Sequence, residues 1–231
     1  ITIDQEKISL RNPDEKIRKL KTAIAEILAK KKLTPAQSAS LRGKLGFSQT
    51  LFFGRIGKSH THSLIERQYT RSRNTKITAP LESDLKWWFK NIENTPSRSV
   101  QLRNTSKNVV YSDASGEGGV NVGTILVPSN NADKVLRAFS CTAPPWLENA
   151  NIFQLEIFAA CVAADQLSFI APTGITLFFI DNSAAASAII RGTTEDVVGR
   201  LIISAFRKIC MQAKLTPWIE LVASKNNPAD E

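Results

Sequence analysis

Cysteine and histidine are scarce in this sequence, and each shortage removes a class of chemistry. The three cysteines, Cys141, Cys161 and Cys210, are odd in number and far apart. That spacing suits neither a disulfide framework nor a zinc site, and it points to a reducing, intracellular compartment. The two histidines, His60 and His62, have no neighbouring Cys, Asp or third His to complete a zinc site. They read as polar loop residues. No apolar run reaches the roughly 18 residues of a membrane span, so no membrane partner is expected. Ile1 stands where an initiator Met would be, and no signal-peptide pattern follows it. The chain reads as a piece of a longer polypeptide.

What is present suffices for a core. The chain has 231 residues, of which 42% are hydrophobic, enough for one large domain or two smaller ones. Its net charge of +9 is unevenly spread. Residues 1–106 carry 21 Lys/Arg and 9 Asp/Glu, a net of +12, whereas residues 107–231 carry 9 and 12, a net of −3. A basic half suits a polyanion such as nucleic acid, although charge alone fits a solvated surface equally well. The spare carboxylates of the other half tip the balance towards a nucleic-acid partner.

Along the chain, the first ten residues suggest a strand. A helix start follows, with Asn12 as cap, Pro13 at the first position and Glu15 closing a capping box. Ile17, Leu20, Ile24, Ile27 and Leu28 recur at helical spacing as far as Lys30–Lys32. A second helix begins with Thr34, Pro35 and Gln37, with Leu41, Leu45 and Phe47 as its apolar face. Ser59–Ser63 reads as a polar break before a short helix, Leu64–Tyr69. Pro80 opens a further helix, Leu81–Ile92, bearing Trp87 and Trp88. Adjacent helical positions point about 100° apart, so packing is favoured over base stacking for the pair. The polar stretch Glu93–Lys107 is the best domain boundary.

Beyond it the texture becomes that of an α/β domain. Val109–Ser115 and Val120–Val127 read as strands joined by a turn at Gly116–Gly119, with Val135–Cys141 as a third strand. Residues 151–168 form a buried helix, and Ile175–Ile180 a central strand. Helices at Asn182–Ile190 and Glu195–Ala213 precede a last strand, Pro217–Ala223. The order βββ-α-β-α-α-β predicts an antiparallel hairpin edge joined to parallel strands.

Four carboxylates stand out by position. Asp113 ends one apolar run and Asp181 another, at strand ends where α/β domains gather ligands. Glu156 interrupts a nearly all-apolar helix, which is costly unless the acid is paired or binds a cation. Asp230 follows the last strand after Asn227-Pro228-Ala229, where a helix would begin. Singly, each has a plainer reading: a helix cap for Asp113 or Asp181, an ion pair for Glu156, a solvated acid for Asp230. As a set they suit two Mg²⁺ or Mn²⁺ ions, which relieve carboxylate repulsion and drive phosphodiester hydrolysis.

Tyr111-Ser112-Asp113-Ala114-Ser115, Gln154-Leu155-Glu156-Ile157-Phe158-Ala159-Ala160 and Phe179-Ile180-Asp181-Asn182-Ser183-Ala184-Ala185 resemble the first three acidic motifs of retroelement RNase H domains. Ser224-Lys225-Asn226-Asn227-Pro228-Ala229-Asp230 is similar to the last motif. That form resembles reverse transcriptases of the tyrosine-recombinase (DIRS-like) retrotransposons. Upstream, Leu33–Gln37 through Leu41–Phe47 resembles the reverse-transcriptase thumb, and Asp84-Leu85-Lys86-Trp87-Trp88 the connection helix. The resemblance implies the end of a palm and a helical thumb over 1–72, a connection over 73–106, and an RNase H-like domain over 107–231, truncated at its C-terminal end. That domain would be a mixed five-stranded sheet with helices. It further implies cleavage of the RNA strand of an RNA–DNA hybrid, with Asp113, Glu156, Asp181 and Asp230 as catalytic metal ligands. The remainder of the polypeptide would be a partner.

Ser115 and Asn182 are candidate contacts to the substrate backbone, as are Arg55 and Lys58 of the basic half. Gly54-Arg55-Ile56-Gly57-Lys58-Ser59 imitates a phosphate loop, but Phe52 stands where that loop needs Gly. Many cellular RNases H carry a His before the last Asp; this chain reads Ala223-Ser224-Lys225-Asn226 there, which implies a slower rate. No Tyr-x-Asp-Asp occurs, so this piece is not expected to polymerise. The rival reading is a catalytically decayed RNase H-like module that binds nucleic acid or serves structure. An integrase or transposase of the same fold fits less well, because such enzymes order their acids Asp, Asp, Glu.

Overall fold

Capping chemistry places the first helices. The computed structural model describes residues 2–3, 7–52, 55–71, 74–101, 108–115, 121–128, 135–170 and 174–230. The chain forms two compact units, Ile1–Leu102 and Arg103–Glu231. In the first, strands β1 (Thr2–Ile3) and β2 (Lys7–Leu10) join β3 (Arg98–Gln101) in a small antiparallel sheet, and helices α1 (Asp14–Lys30), α2 (Pro35–Thr50), α3 (His62–Tyr69) and α4 (Ala79–Asn91) lie between β2 and β3 in sequence. The expected capping box forms at α2, where Thr34 and Gln37 satisfy each other's backbone N–H groups.

At α1 the expected box is absent: Pro13 occupies the cap position. Asn12 is buried instead, and its amide donates to the Ser48 carbonyl at 3.2 Å. A long-range partner has displaced a local one. Phe47, expected on the apolar face of α2, is 60% exposed, because it lies two residues and about 200° beyond Leu45.

The polar stretch 59–63 is structure rather than a break. Ser59–Thr61 make a 3₁₀ turn into α3, and Ser59, Thr61 and Ser63 are buried. Their burial is tolerated where hydroxyls find partners, as Thr61 does in the Lys58 carbonyl and Ser63 in Asp84. His60 and His62 are therefore not loop residues. The His60 ring stacks on Trp87 at 4.1 Å, with Nδ1 3.1 Å from Asp84 Oδ1, while His62 opens α3. Trp88 is fully buried and donates from Nε1 to the His60 carbonyl at 2.9 Å. Gly57, at φ 90°, makes room for it: a Cβ there would lie 2.6 Å from the Trp88 ring.

In the second unit, β4 (Asn108–Ser115), β5 (Asn121–Pro128), β6 (Arg137–Thr142), β7 (Gly174–Ile180) and β8 (Leu215–Leu221) form one sheet in the order β6-β5-β4-β7-β8. The β4–β5 and β5–β6 pairs are antiparallel; β4–β7 and β7–β8 are parallel. This is the mixed five-stranded α/β architecture expected from the sequence. The expected turn at 116–119 and Gly54 of the phosphate-loop imitation lie outside the described residues. Strand β8 begins two residues earlier than expected, and Pro217 is tolerated in it because, among the described residues, β8 pairs on one side only.

Helix α5 (Ile152–Ile170) packs on β4 and β5 and against α7 (Val197–Gln212), with α6 (Ser183–Arg191) between β7 and α7 in sequence. At 19 residues and mean hydropathy 1.3, α5 is long and apolar enough to cross a membrane. Its residues Leu155, Ile157, Ala160, Ala164 and Leu167 are nevertheless buried inside the unit, as a core helix requires.

Candidate metal centre

The three acids arrive by three different routes. Asp113 lies within β4, which continues to Ser115, and pairs in register with Gly123 of β5. Glu156 sits in the second turn of α5, where nearly every neighbour is apolar and buried. Asp181 follows β7 directly. It does not cap the next helix; Asn182 does, its side-chain oxygen accepting from the Ala185 N–H at 3.0 Å. Asp181 is thereby left available.

These routes converge. One carboxylate oxygen from each of Asp113, Glu156 and Asp181 lies within 4.8 Å of the others. Asp113 is 8% exposed, Glu156 3%, and Asp181 is half-buried. Burial pushes the Glu156 carboxyl up to about 8, with the charges of Asp181 and Asp113 adding to it against a hydrogen bond from the Ala114 backbone. Burial likewise raises Asp113 to about 6, helped by Asp181 and Asp230 and opposed by the Ala114 backbone.

No Lys or Arg forms an ion pair with any of the three among the described residues, so the ion-pair reading of Glu156 finds no support. Its Oε2 is buried with no hydrogen-bond partner. An orphaned carboxylate oxygen facing two like charges fits a hard divalent cation, and an all-oxygen donor set suits Mg²⁺ or Mn²⁺.

Asp230 lies apart from this group of three. It is exposed, in a turn closed by its own N–H to the Asn227 carbonyl at 3.1 Å. It still lies close enough to raise Asp113. Ser115 is exposed at the end of β4, two residues beyond Asp113. Arg55 and Lys58 belong to the other unit, Arg55 exposed at a left-handed φ of 58° and Lys58 half-buried.

Two residues that sequence reasoning passed over touch the acids. Ser224 donates from Oγ to Asp181 Oδ2 at 2.6 Å. Asn227, 3% exposed, donates from Nδ2 to the Ser112 carbonyl at 3.1 Å and to Asp113 Oδ1 at 3.4 Å. Both sit in the segment Ser224–Asp230 whose last residue alone was singled out. Neither offered a local signal: the stretch 224–230 is polar and largely exposed, and the burial of Asn227 within it is a tertiary fact.

No family model and no curated protein matches the chain. Solved structures similar to it include the N-terminal RNase H domain of a Mycobacterium tuberculosis protein, at 13% identity and TM-score 0.46, covering 53% of this chain and 86% of that one. RNase H1 of the archaeon Halobacterium salinarum matches at 17% identity and TM-score 0.45, covering 53% and 90%. The prototype foamy virus protease–reverse transcriptase matches at 17% and 0.37, covering 52% of this chain and 18% of that one. At these scores the likeness bears on no residue's role.

Proposed function

We propose that this chain is part of a retroelement reverse transcriptase whose RNase H-like domain cuts the RNA strand of RNA–DNA hybrids. The observation that carries the reading is the convergence of Asp113, Glu156 and Asp181 to within 4.8 Å, with a buried, partnerless Glu156 oxygen among them. Uncompensated like charges of this kind are costly in a fold that has no cation to place there. Asp113, Glu156 and Asp181 would hold the metal, with Asp230 completing the set from the loop. Two bound Mg²⁺ or Mn²⁺ ions supply an activated water and stabilisation of the leaving oxygen.

The protein's own groups do the rest. Glu156 and Asp113 would ligate as carboxylates, so metal binding at this site would release protons. Ser115, beside the acids on β4, is placed to meet the backbone or a 2′-hydroxyl of the substrate. Asn182 keeps its amide N–H groups for the same use, since its oxygen is committed to α6. In the basic unit, α2 carries Gly43 and Gly46 with open space beside them. Phe47 is exposed on the same helix under the Lys16 amine, 3.7 Å from its ring centroid. Each helical glycine costs about 1 kcal/mol relative to Ala, which a close-approaching nucleic-acid backbone would offset. Arg55 and Lys58 would add phosphate contacts. Placement within the DIRS-like retrotransposons, and of a thumb and connection over 1–106, rests on the sequence motifs.

A cleavage assay with Mg²⁺ or Mn²⁺ on RNA–DNA hybrid, duplex RNA and duplex DNA tests this reading. Cleavage of the RNA strand of the hybrid alone, abolished by EDTA, is the expected result. A chain that neither cuts hybrid nor gains thermal stability from either metal would be a decayed module.

A further inference from the structure

We infer that Asn227 and Gly123 are positioning residues, which together seat the 222–230 segment across the strand ends and fix the geometry of the acidic centre. The inference rests on the metal-centre reading and extends it to two residues that ligate nothing. The segment crosses three strands in turn. Its backbone first extends the sheet, the Val222 N–H donating to the Ile180 carbonyl at 3.1 Å. Ser224 then holds Asp181 at 2.6 Å. Asn227 reaches β4, donating to the Ser112 carbonyl at 3.1 Å and to Asp113 Oδ1 at 3.4 Å. Finally the Ala229 carbonyl lies over β5, where a Cβ built on Gly123 would come within 3.0 Å of it.

Asn227 is suited to this by its full use of a buried amide. Its Nδ2 serves β4, its Oδ1 accepts the Ala229 N–H at 3.3 Å, and its backbone carbonyl accepts the Asp230 N–H at 3.1 Å. One side chain thus orients Asp113 and starts the turn that presents Asp230. Gly123 needs no unusual φ; its role is space. It is the register partner of Asp113, so the strand position opposite the first acid is the one over which the last acid's loop passes. A side chain there would press on backbone, which cannot rotate aside.

The test is Mn²⁺ binding to the full chain, followed by EPR of the free ion, for wild type, Asn227→Ala and Gly123→Ala. Each is measured below its own melting temperature in EDTA, so that a merely structural contribution stays in the melting curve and out of the dissociation constant. Outer residues that orient ligands typically alter metal affinity about 10–100-fold. The expected result is at least a tenfold loss for Asn227→Ala and a smaller but resolved loss, about threefold, for Gly123→Ala. Wild-type binding with both variants unchanged would overturn the positioning role and leave the metal centre standing. Absence of wild-type binding would overturn both. Should Asn227→Ala fail to fold, Gly123→Ala decides by the same criterion, because it removes no hydrogen bond.

Discussion

Two glutamates, one in each unit, were given opposite surroundings. Glu82 on α4 sits between Lys31 at 2.6 Å and Lys86 at 2.7 Å, and these hydrogen-bonded cations hold its carboxyl down at about 2. Glu156 on α5 is buried among apolar residues, faces Asp113 and Asp181, and is pushed up to about 8. Among the described residues, Glu82 is paired with cations, whereas Asp113, Glu156 and Asp181 cluster with no Lys or Arg in ion-pair range. A fold that needs only stability has no reason for the second arrangement, since pairing or an apolar replacement would serve better. The difference is what the proposed metal-binding role of the cluster would account for.

The sharpest way to break this comparison is to remove one charge from the cluster. Asp181→Asn should lower hybrid cleavage by about 10²–10³-fold, as loss of one group that stabilises the transition state does. The metal-free protein should melt at the same temperature or higher, because Glu156 and Asp113 lose a repulsive neighbour. Melting with and without millimolar Mg²⁺, beside the cleavage assay, checks both halves. An Asp181→Asn variant that still gains stability from Mg²⁺ would place the metal elsewhere.

The basic unit should govern affinity rather than chemistry. Replacing Lys16 and Lys58 by Gln should weaken hybrid binding several-fold at moderate salt. The log–log salt slope should shrink by about 0.9 for each phosphate no longer neutralised. Binding isotherms across a salt series measure this, and an unchanged slope would detach the +12 half from the substrate.

A smaller effect concerns protons. Glu156 and Asp113 titrate higher in the folded chain than in the unfolded one, so the native state binds more protons between the two sets of values. The contribution of these two acids to metal-free stability is therefore fully present below about pH 4 and is lost as pH rises through about 6 for Asp113 and about 8 for Glu156. Saturating Mn²⁺ should reverse the slope, since the ion binds the deprotonated acids. Glu156→Gln should flatten the decline and stabilise the metal-free chain at pH 8 by about 1–2 kcal/mol, read from melting curves between pH 5 and 8.

The smallest effect serves as the control. Glu82→Gln should lower melting slightly at pH 7, and the difference should vanish as pH falls through about 2, where the wild-type carboxyl is protonated as well. Opposite pH slopes at Glu156 and Glu82, in one protein, would confirm that surroundings rather than residue type separate the two units.

Much of this molecule was written in local pattern. The period and capping of residues 34–50 specified α2, and the apolar run 175–180 specified a central strand. The acids at 113, 156 and 181 were visible because each broke an apolar stretch, and a charge at the end of a buried element is costly enough to need a reason. Where local signals competed with distant partners, the sequence was silent. Asn12 had the pattern of a cap and became a buried donor to Ser48, and Ser59–Ser63 looked like a break and became buried structure. Asn227 and Gly123 showed no signal of their own, because their meaning lies in partners more than a hundred residues away. Local propensity acts over a few residues and so can be read from them. Which carbonyl an amide finds, and where backbone passes too closely for a Cβ, is settled only when the sheet brings distant strands together.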